Sequence, residues 1–332
     1  MRTRPHDDHD VSGAAMTHAF VFPGQGSQSV GMGKALAEAF PAARAIFDEV
    51  DDALSQNLSS LMFEGVDSDL TLTSNAQPAL MAVSLAVVAV LRAEAGLDLA
   101  RDAAFVAGHS LGEYSALAAA GALSVASTAR LLRLRGEAMQ KAVKVGEGAM
   151  AAFIGADPET AGKIAAEAAG AGLGVCDVAN DNGGGQVVVS GTRAAVERAM
   201  EIAKAQGVKR AILLPVSAPF HCSLMQPAAD AMAAALAEAA IAAPCVPVVA
   251  NVLAAPTRDP AQIRALLVRQ VTATVRWRES IGFMAEQGVT LFVECGAGKV
   301  LSGLVKRIAE QTSGLPVGTP ADIDLYKARI AL

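Results

Sequence analysis

The chain has 332 residues, 52% apolar and 18% charged, with 27 basic against 33 acidic side chains and a formal charge of −6. That is enough chain for roughly two domains with a sizeable core, and it is too apolar to be largely disordered. No block of basic residues could track a phosphate backbone, so nucleic acid is not an expected partner.

Residues 1–15 (MRTRPHDDHDVSGAA) are polar and aperiodic and read as a disordered extension ahead of Met16. Residues 18–22 (HAFVF) predict a buried strand that runs into PGQGSQ at 23–28, a loop whose glycines let backbone approach a ligand closely. The longest apolar run, 79–91, falls short of the ~20 residues that a membrane-spanning helix needs, so no membrane segment is expected. A second strand is predicted at 103–107. It leads into Gly108-His109-Ser110-Leu111-Gly112, a G-x-S-x-G sequence between a strand and an alanine-rich helix. A serine on so sharp a turn projects its hydroxyl above the sheet, and the flanking glycines remove side chains that would collide. The free N–H of Leu111 at the helix start can face a developing oxyanion. An ordinary Gly-Ser turn would lack both flanks, so Ser110 is the candidate nucleophile.

At 100° per residue, Arg130, Arg133, Glu137, Lys141 and Lys144 form one face of the next helix. Leu131, Leu132, Ala138, Met139 and Ala142 form the opposite face, and Arg135 falls in its middle. A buried guanidinium is costly unless a carboxylate pairs with it. Two solutions stay open: an internal ion pair, with Glu113 as partner, or a bidentate fork to a substrate carboxylate.

Between 148 and 216 the rhythm changes. A strand is predicted at 149–154, a helix at 158–169, strands at 174–179 and 186–190 around the Gly183-Gly184-Gly185 turn, a helix at 192–206 and a strand at 210–215. This βαββαβ order is the ferredoxin-like unit. Residues 148–216 therefore read as a small domain inserted into a larger α/β body, 16–147 with 217–332. Strand candidates at 246–250 and 290–294 between long helices give that body a helix-covered parallel sheet. The junction of the two is a favoured ligand site. His221, in VSAPFHC at 216–222, follows the return from the small domain and is the candidate base. His6 and His9 lie in the head, His18 opens the first strand, and His109 diverges from its neighbour Ser110 on a tight turn. The four cysteines, Cys176, Cys222, Cys245 and Cys295, show no ligand or CxxC spacing and read as reduced cytosolic thiols, with Cys222 as packing. No metal cluster is expected.

These residues resemble a known family, the malonyl-CoA:acyl carrier protein transacylases, whose acyltransferase fold also occurs within polyketide synthases. The resemblance covers about 19–307 through FVFPGQGSQ (20–28), TSNAQPAL (73–80), GHSLGEYSAL (108–117), RG (135–136), QVVVSG (186–191), SAPFHC (217–222) and GAGKVLSGLVKR (296–307). It implies an α/β-hydrolase-like core with a ferredoxin-like insertion. Ser110 is implied as the acyl nucleophile and His221 as its acid/base. The backbone amides of Gln25 and Leu111 are implied as the oxyanion hole, Arg135 as the ligand of the malonyl carboxylate, and the backbone carbonyl of Gln270 as the group that orients His221 in place of an acid. Gln77, His109, Asn182 and Phe220 are implied pocket residues, Asn182 as a coenzyme contact and Phe220 as an aromatic that crowds out an α-methyl branch. The Asn180-Asp181-Asn182-Gly183-Gly184-Gly185 loop lacks a proline often found there, and GAG at 296–298 replaces a frequent GPG.

The activity implied is ping-pong transfer of a malonyl group from malonyl-CoA to the phosphopantetheine thiol of acyl carrier protein, supplying type II fatty acid synthesis. The expected enzyme is a cytoplasmic monomer with no cofactor of its own. Lys209 with Arg210, and Lys299 with Lys306 and Arg307, are candidate contacts for an acidic carrier protein. The alternatives are a serine esterase or thioesterase, which shares the serine turn but needs no Arg135, the transacylase subunit of malonate decarboxylase, and a binding protein without catalysis.

Overall fold

The computed structural model describes residues 17–330, so the expected disordered head, 1–15, lies outside the described residues. In chain order the strands are β1 (Thr17–Phe22), β2 (Phe105–Gly108), β3 (Gly148–Ile154), β4 (Cys176–Gly183), β5 (Gln186–Thr192), β6 (Arg210–Leu213), β7 (Val248–Ala250), β8 (Ala255–Thr257), β9 (Val289–Cys295) and β10 (Ser313–Val317). Six of them form one sheet in the order β10-β9-β1-β2-β7-β8. Its pairs are parallel except for β8, which runs antiparallel to β7 at the edge. The sequence reading anticipated neither β8 nor β10. Both are edge strands, β8 is only three residues long, and each contains a proline, so neither carries the apolar run that betrays a central strand.

The central strand β1 is buried on both faces from Ala19 to Phe22, as expected where helices cover both sides of a parallel sheet. One cover is α1 (Thr73–Ala95). By length and composition α1 could cross a membrane, but 83% of its most apolar stretch is buried inside the protein, where it serves as a core helix. Against α1 packs α3 (Val125–Ala142), after the short α2 (Gly112–Ala119). The two helices approach closely at Gly136, where a Cβ would stand 2.5 Å from the Thr73 carbonyl oxygen. This crossing places Arg135 beside the first turn of α1.

The other four strands form a separate antiparallel sheet in the order β4-β5-β3-β6. Helices α4 (Pro158–Ala168) and α5 (Arg193–Ala205) complete a βαββαβ chain order. They bury their own apolar cluster around Phe153, Ile164 and Val189. In the large sheet the chain moves outward from β1 to β2, β7 and β8, then returns to place β9 and β10 on the opposite side. Such a switch in direction opens a crevice beyond the carboxyl ends of the strands.

Candidate active site

β1 and β2 end in register, with Phe22 opposite Gly108, so the loop at 23–28 and the turn at 109–111 leave the sheet side by side. Ser110 lies in the left-handed region at φ +54, a conformation that costs a non-glycine residue about 1–3 kcal/mol. The turn is as crowded as the motif predicts. A Cβ on Gly108 would stand 1.9 Å from the Gly112 carbonyl, and one on Gly112 2.2 Å from the Phe22 oxygen. Behind the turn α2 begins, and the main-chain N–H of Leu111 precedes its first turn. Among the described residues, the main-chain N–H groups of Gln25 and Leu111 donate to no protein acceptor.

The structure brings Ser110 and His221 together: Oγ lies 2.7 Å from Nε2. The other ring nitrogen, Nδ1, is 2.9 Å from the backbone carbonyl of Gln270 at the end of α6 (Pro260–Gln270). A carbonyl can only accept, so Nδ1 carries the proton and Nε2 presents its lone pair to the serine. His221 is buried, and its pKa is pushed down to about 3, first by desolvation and then by the charge of Arg135. The ring is therefore a neutral base over the whole physiological range.

Arg135 is 1% exposed on the apolar face of α3, as the helical wheel predicts. Its Nη2 donates to Ser110 Oγ at 3.1 Å and to Gln270 Oε1 at 2.9 Å, and its Nη1 donates to Gln77 Oε1 at 2.9 Å. Its Nε has no partner. The internal ion pair with Glu113 is not formed directly. Instead Gln270 Nε2 donates to Glu113 Oε2 at 2.7 Å, so one amide group separates the buried carboxyl from the buried guanidinium. Burial pushes Glu113 up to about 7 and pulls Arg135 below its ordinary value.

A cavity of about 470 Å³ opens over these groups where the small sheet meets the large one. Gln25, Leu111, Asn182 and Phe220 line it with Ser110, Arg135 and His221, while Met150 and Val188 contribute a wall from the small sheet. Val300, Leu301 and Leu304 of α7 (Val300–Ile308) close another side. Glu294 fixes α7 by accepting the N–H groups of Leu301 and Ser302 at 3.0 and 2.7 Å. His109 turns away from Ser110: its Nε2 lies 2.8 Å from Asn182 Oδ1, and its ring sits edge-on to Trp277. Gln77 and Gln270 do not line the cavity and support Arg135 from behind. Cys222 is buried with Sγ 3.1 Å from the Pro219 carbonyl, and desolvation pushes its thiol up to about 11, far from a thiolate.

Two contributions escaped the sequence reading. The side chain of Gln270, known there only for its backbone, contacts Arg135, Glu113 and the Ser110 carbonyl. Asn251, directly after β7, bonds both flanks of the serine turn. Its only sequence signal was a lone asparagine at the end of a predicted parallel strand.

The depressed His221 pKa makes stability depend on pH with a definite sign. Below pH 6.5 the unfolded chain takes up a proton that the folded chain refuses until about pH 3. Stability attributable to this residue is therefore complete above 6.5 and falls with pH by up to about 1.4 kcal/mol per unit. We expect His221→Gln to lose less stability than the parent protein between pH 6.5 and about 4. Denaturant unfolding at a series of pH values measures this, and identical slopes would contradict the assignment.

The acyl transferase domain family matches residues 19–320. The chain is similar to the malonyl CoA-acyl carrier protein transacylase of Bacillus subtilis (strain 168), with 48% identity over 307 residues, 92% of this chain and 95% of that protein. An acyl-carrier-protein-S-malonyltransferase from Bartonella henselae superposes with a TM-score of 0.92 at 56% identity, covering 96% of this chain and 100% of the other. A type II polyketide-synthase acyl-carrier protein in complex with its malonyl-transacylase gives a TM-score of 0.90 at 42% identity, with 94% and 99% covered.

Proposed function

The chain belongs to the acyl transferase domain family, and from that premise we propose that it moves a malonyl group from malonyl-CoA to the phosphopantetheine thiol of an acyl carrier protein, supplying type II fatty acid synthesis. The observation that carries this reading is Arg135: a buried guanidinium bonded only to neutral acceptors, one of them the oxygen of Ser110 at 3.1 Å. That arrangement suits an acyl group ending in a carboxylate, which would give the guanidinium the anionic partner it lacks.

In the proposed sequence His221 takes the proton as Ser110 attacks the thioester carbonyl. The main-chain N–H groups of Gln25 and Leu111 receive the oxyanion, CoA leaves as the thiol, and the carrier thiol then attacks the malonyl ester with His221 again taking the proton. The Gln270 carbonyl holds the imidazole in place of an acid. Asn182 is proposed to contact the coenzyme as well as His109. No metal or cofactor resident in the protein takes part, since the phosphopantetheine arrives on the partner.

An esterase or thioesterase has no use for a buried guanidinium beside its nucleophile, and a mere binding protein has little reason to keep Ser110, His221 and Arg135 together. Incubation with malonyl-CoA and a holo carrier protein decides the matter. Malonyl thioester is the expected product; free malonate as the sole product would move the protein to the hydrolases. A transacylase of malonate decarboxylase would instead ignore the fatty-acid carrier.

The large sheet is proposed to be α/β-hydrolase-like and the small one ferredoxin-like, supported by the strand orders above. A monomer is the proposed working unit, because one chain supplies Ser110, His221 and Arg135. The proposed compartment is the cytoplasm, in line with four free cysteines. Phe220 stands against the cavity beside His221, where it would crowd a 2-methyl branch. We expect Phe220→Ala to raise kcat/KM for methylmalonyl-CoA relative to malonyl-CoA by about tenfold. An unchanged ratio would remove Phe220 from selectivity.

Docking of an acidic carrier onto a chain of net charge −6 calls for a local basic surface. Lys209, Arg210, Lys299, Lys306 and Arg307 are all exposed, and Lys299 adjoins the cavity wall formed by α7. Reversing these charges should raise KM for the carrier protein several-fold, more at low salt, and leave KM for malonyl-CoA unchanged.

A further inference from the structure

Asn251 is fully buried immediately beyond β7 and has no part in the chemistry above. Its side chain spans the serine turn. Oδ1 accepts the N–H of Ser110 at 2.8 Å, and Nδ2 donates to the carbonyl of Gly108 at 2.7 Å. One partner is an N–H and the other a C=O, so the orientation of the amide is fixed by its surroundings. These two backbone groups stand where the sheet can no longer serve them, because β2 pairs with β7 only at Val106 and Ala107. Asn251 thus extends the ladder with a side chain that offers one acceptor and one donor. On the other side of the turn, the His109 N–H donates to the Phe22 carbonyl at 3.0 Å. The turn is pinned from both neighbouring strands.

Asn251 is itself anchored. Its main-chain N–H donates to Glu113 Oε2 at 3.0 Å, the same oxygen that accepts from Gln270 Nε2. Gln270 Nε2 in turn reaches the Ser110 carbonyl at 3.1 Å. The buried carboxyl of Glu113 therefore ties together the residues that hold the nucleophile, its base and its guanidinium.

We propose that Asn251, anchored by Glu113, is a positioning residue that holds Ser110 in its left-handed conformation and so aims Oγ at His221. The kinetic consequence rests on the nucleophilic role of Ser110, whereas the conformational lock can be read without any activity.

The conformational experiment compares Ser110→Gly with Ser110→Ala, both lacking the hydroxyl, in the presence of Asn251 and in an Asn251→Ala background. Glycine adopts a positive φ freely and alanine does not. With Asn251 present, Ser110→Gly should melt about 2–4 °C above Ser110→Ala. With Asn251→Ala the turn can relax, and that advantage should shrink to less than half. An undiminished advantage overturns the proposal, because the strain would then be imposed by something else. If Asn251→Ala does not fold, Asn251→Asp, which keeps one oxygen for the Ser110 N–H but loses the donor to Gly108, takes its place in the same cycle.

The kinetic experiment measures malonyl loading by the Asn251 variant on an otherwise native chain, normalised to loadable sites by active-site titration. Misplacement of Oγ should lower kcat about 30–100-fold while KM for malonyl-CoA stays within about twofold. The preference for malonyl over acetyl should persist, since Arg135 is untouched. Titrated sites that load at the parent kcat would reduce Asn251 to ordinary packing. If the native protein failed to transfer malonyl groups at all, the function would fall while the melting cycle still decided the lock.

Discussion

Ser110→Ala should lower malonyl transfer by at least about 10⁴-fold and abolish any covalent malonyl adduct detectable by mass spectrometry. The size of the effect follows from how much of the site converges on one oxygen. Oγ meets the unprotonated nitrogen of His221 at 2.7 Å and an N–H of Arg135 at 3.1 Å. On the proposed mechanism the first removes a proton as the bond to carbon forms, while the second holds the hydroxyl in the free protein until a substrate carboxylate takes the guanidinium. Without the hydroxyl, the remaining route is direct attack by the carrier thiol on bound malonyl-CoA, helped only by the oxyanion donors and by binding. An adduct that survives on Ser110→Ala would place the nucleophile elsewhere. Cys222, the thiol that adjoins His221 in sequence, is a poor rival, since burial holds it near 11. Ser110→Cys, which keeps a nucleophile in the same turn, should retain the adduct at reduced rate.

The parts of this site legible in the sequence were those dictated locally. The serine turn could be read because Gly108 answers to a clash with Gly112 within five residues of chain, while Gly112, which faces the Phe22 carbonyl at the end of β1, was legible through the motif. Arg135 could be read because helical periodicity alone put a charge on an apolar face. His221 emerged by elimination among few histidines. The resemblance to a family then added Gln25, Gln77 and the Gln270 carbonyl, which no local rule marks. What stayed hidden was set by tertiary packing. The two amides that hold Arg135 come from 58 and 135 residues away, and Asn251 reaches Ser110 across 141. Neither periodicity nor turn chemistry constrains such pairs. The same limit explains the strands: apolar runs revealed the buried centre of the sheet, while β8 and β10, with one neighbour each, needed no such pattern.

Arg135→Ala should reduce kcat/KM for malonyl-CoA by about 10²–10⁴-fold and leave acetyl-CoA turnover unchanged or improved, collapsing the discrimination between the two. The sign for each substrate comes from the same observation. In the free protein the guanidinium is buried among neutral oxygens, with its nearest carboxyl, Glu113, held one amide away by Gln270. On the proposed reading a malonyl carboxylate would complete it, whereas an acetyl group would leave the charge as poorly matched as before and would also leave the Nη2 bond on the nucleophile. Arg135→Lys should fall between, because it keeps the charge but loses the planar fork. A second readout separates this role from general damage to the site. Arg135 is one of the causes that hold the His221 pKa down, after burial itself. Removing it should move the acid limb of kcat/KM in the free enzyme to higher pH, since His221 then protonates more readily. Loading of Arg135→Ala with its malonyl-over-acetyl preference intact would refute the assignment, and an unmoved acid limb would show that the guanidinium does not act on the base.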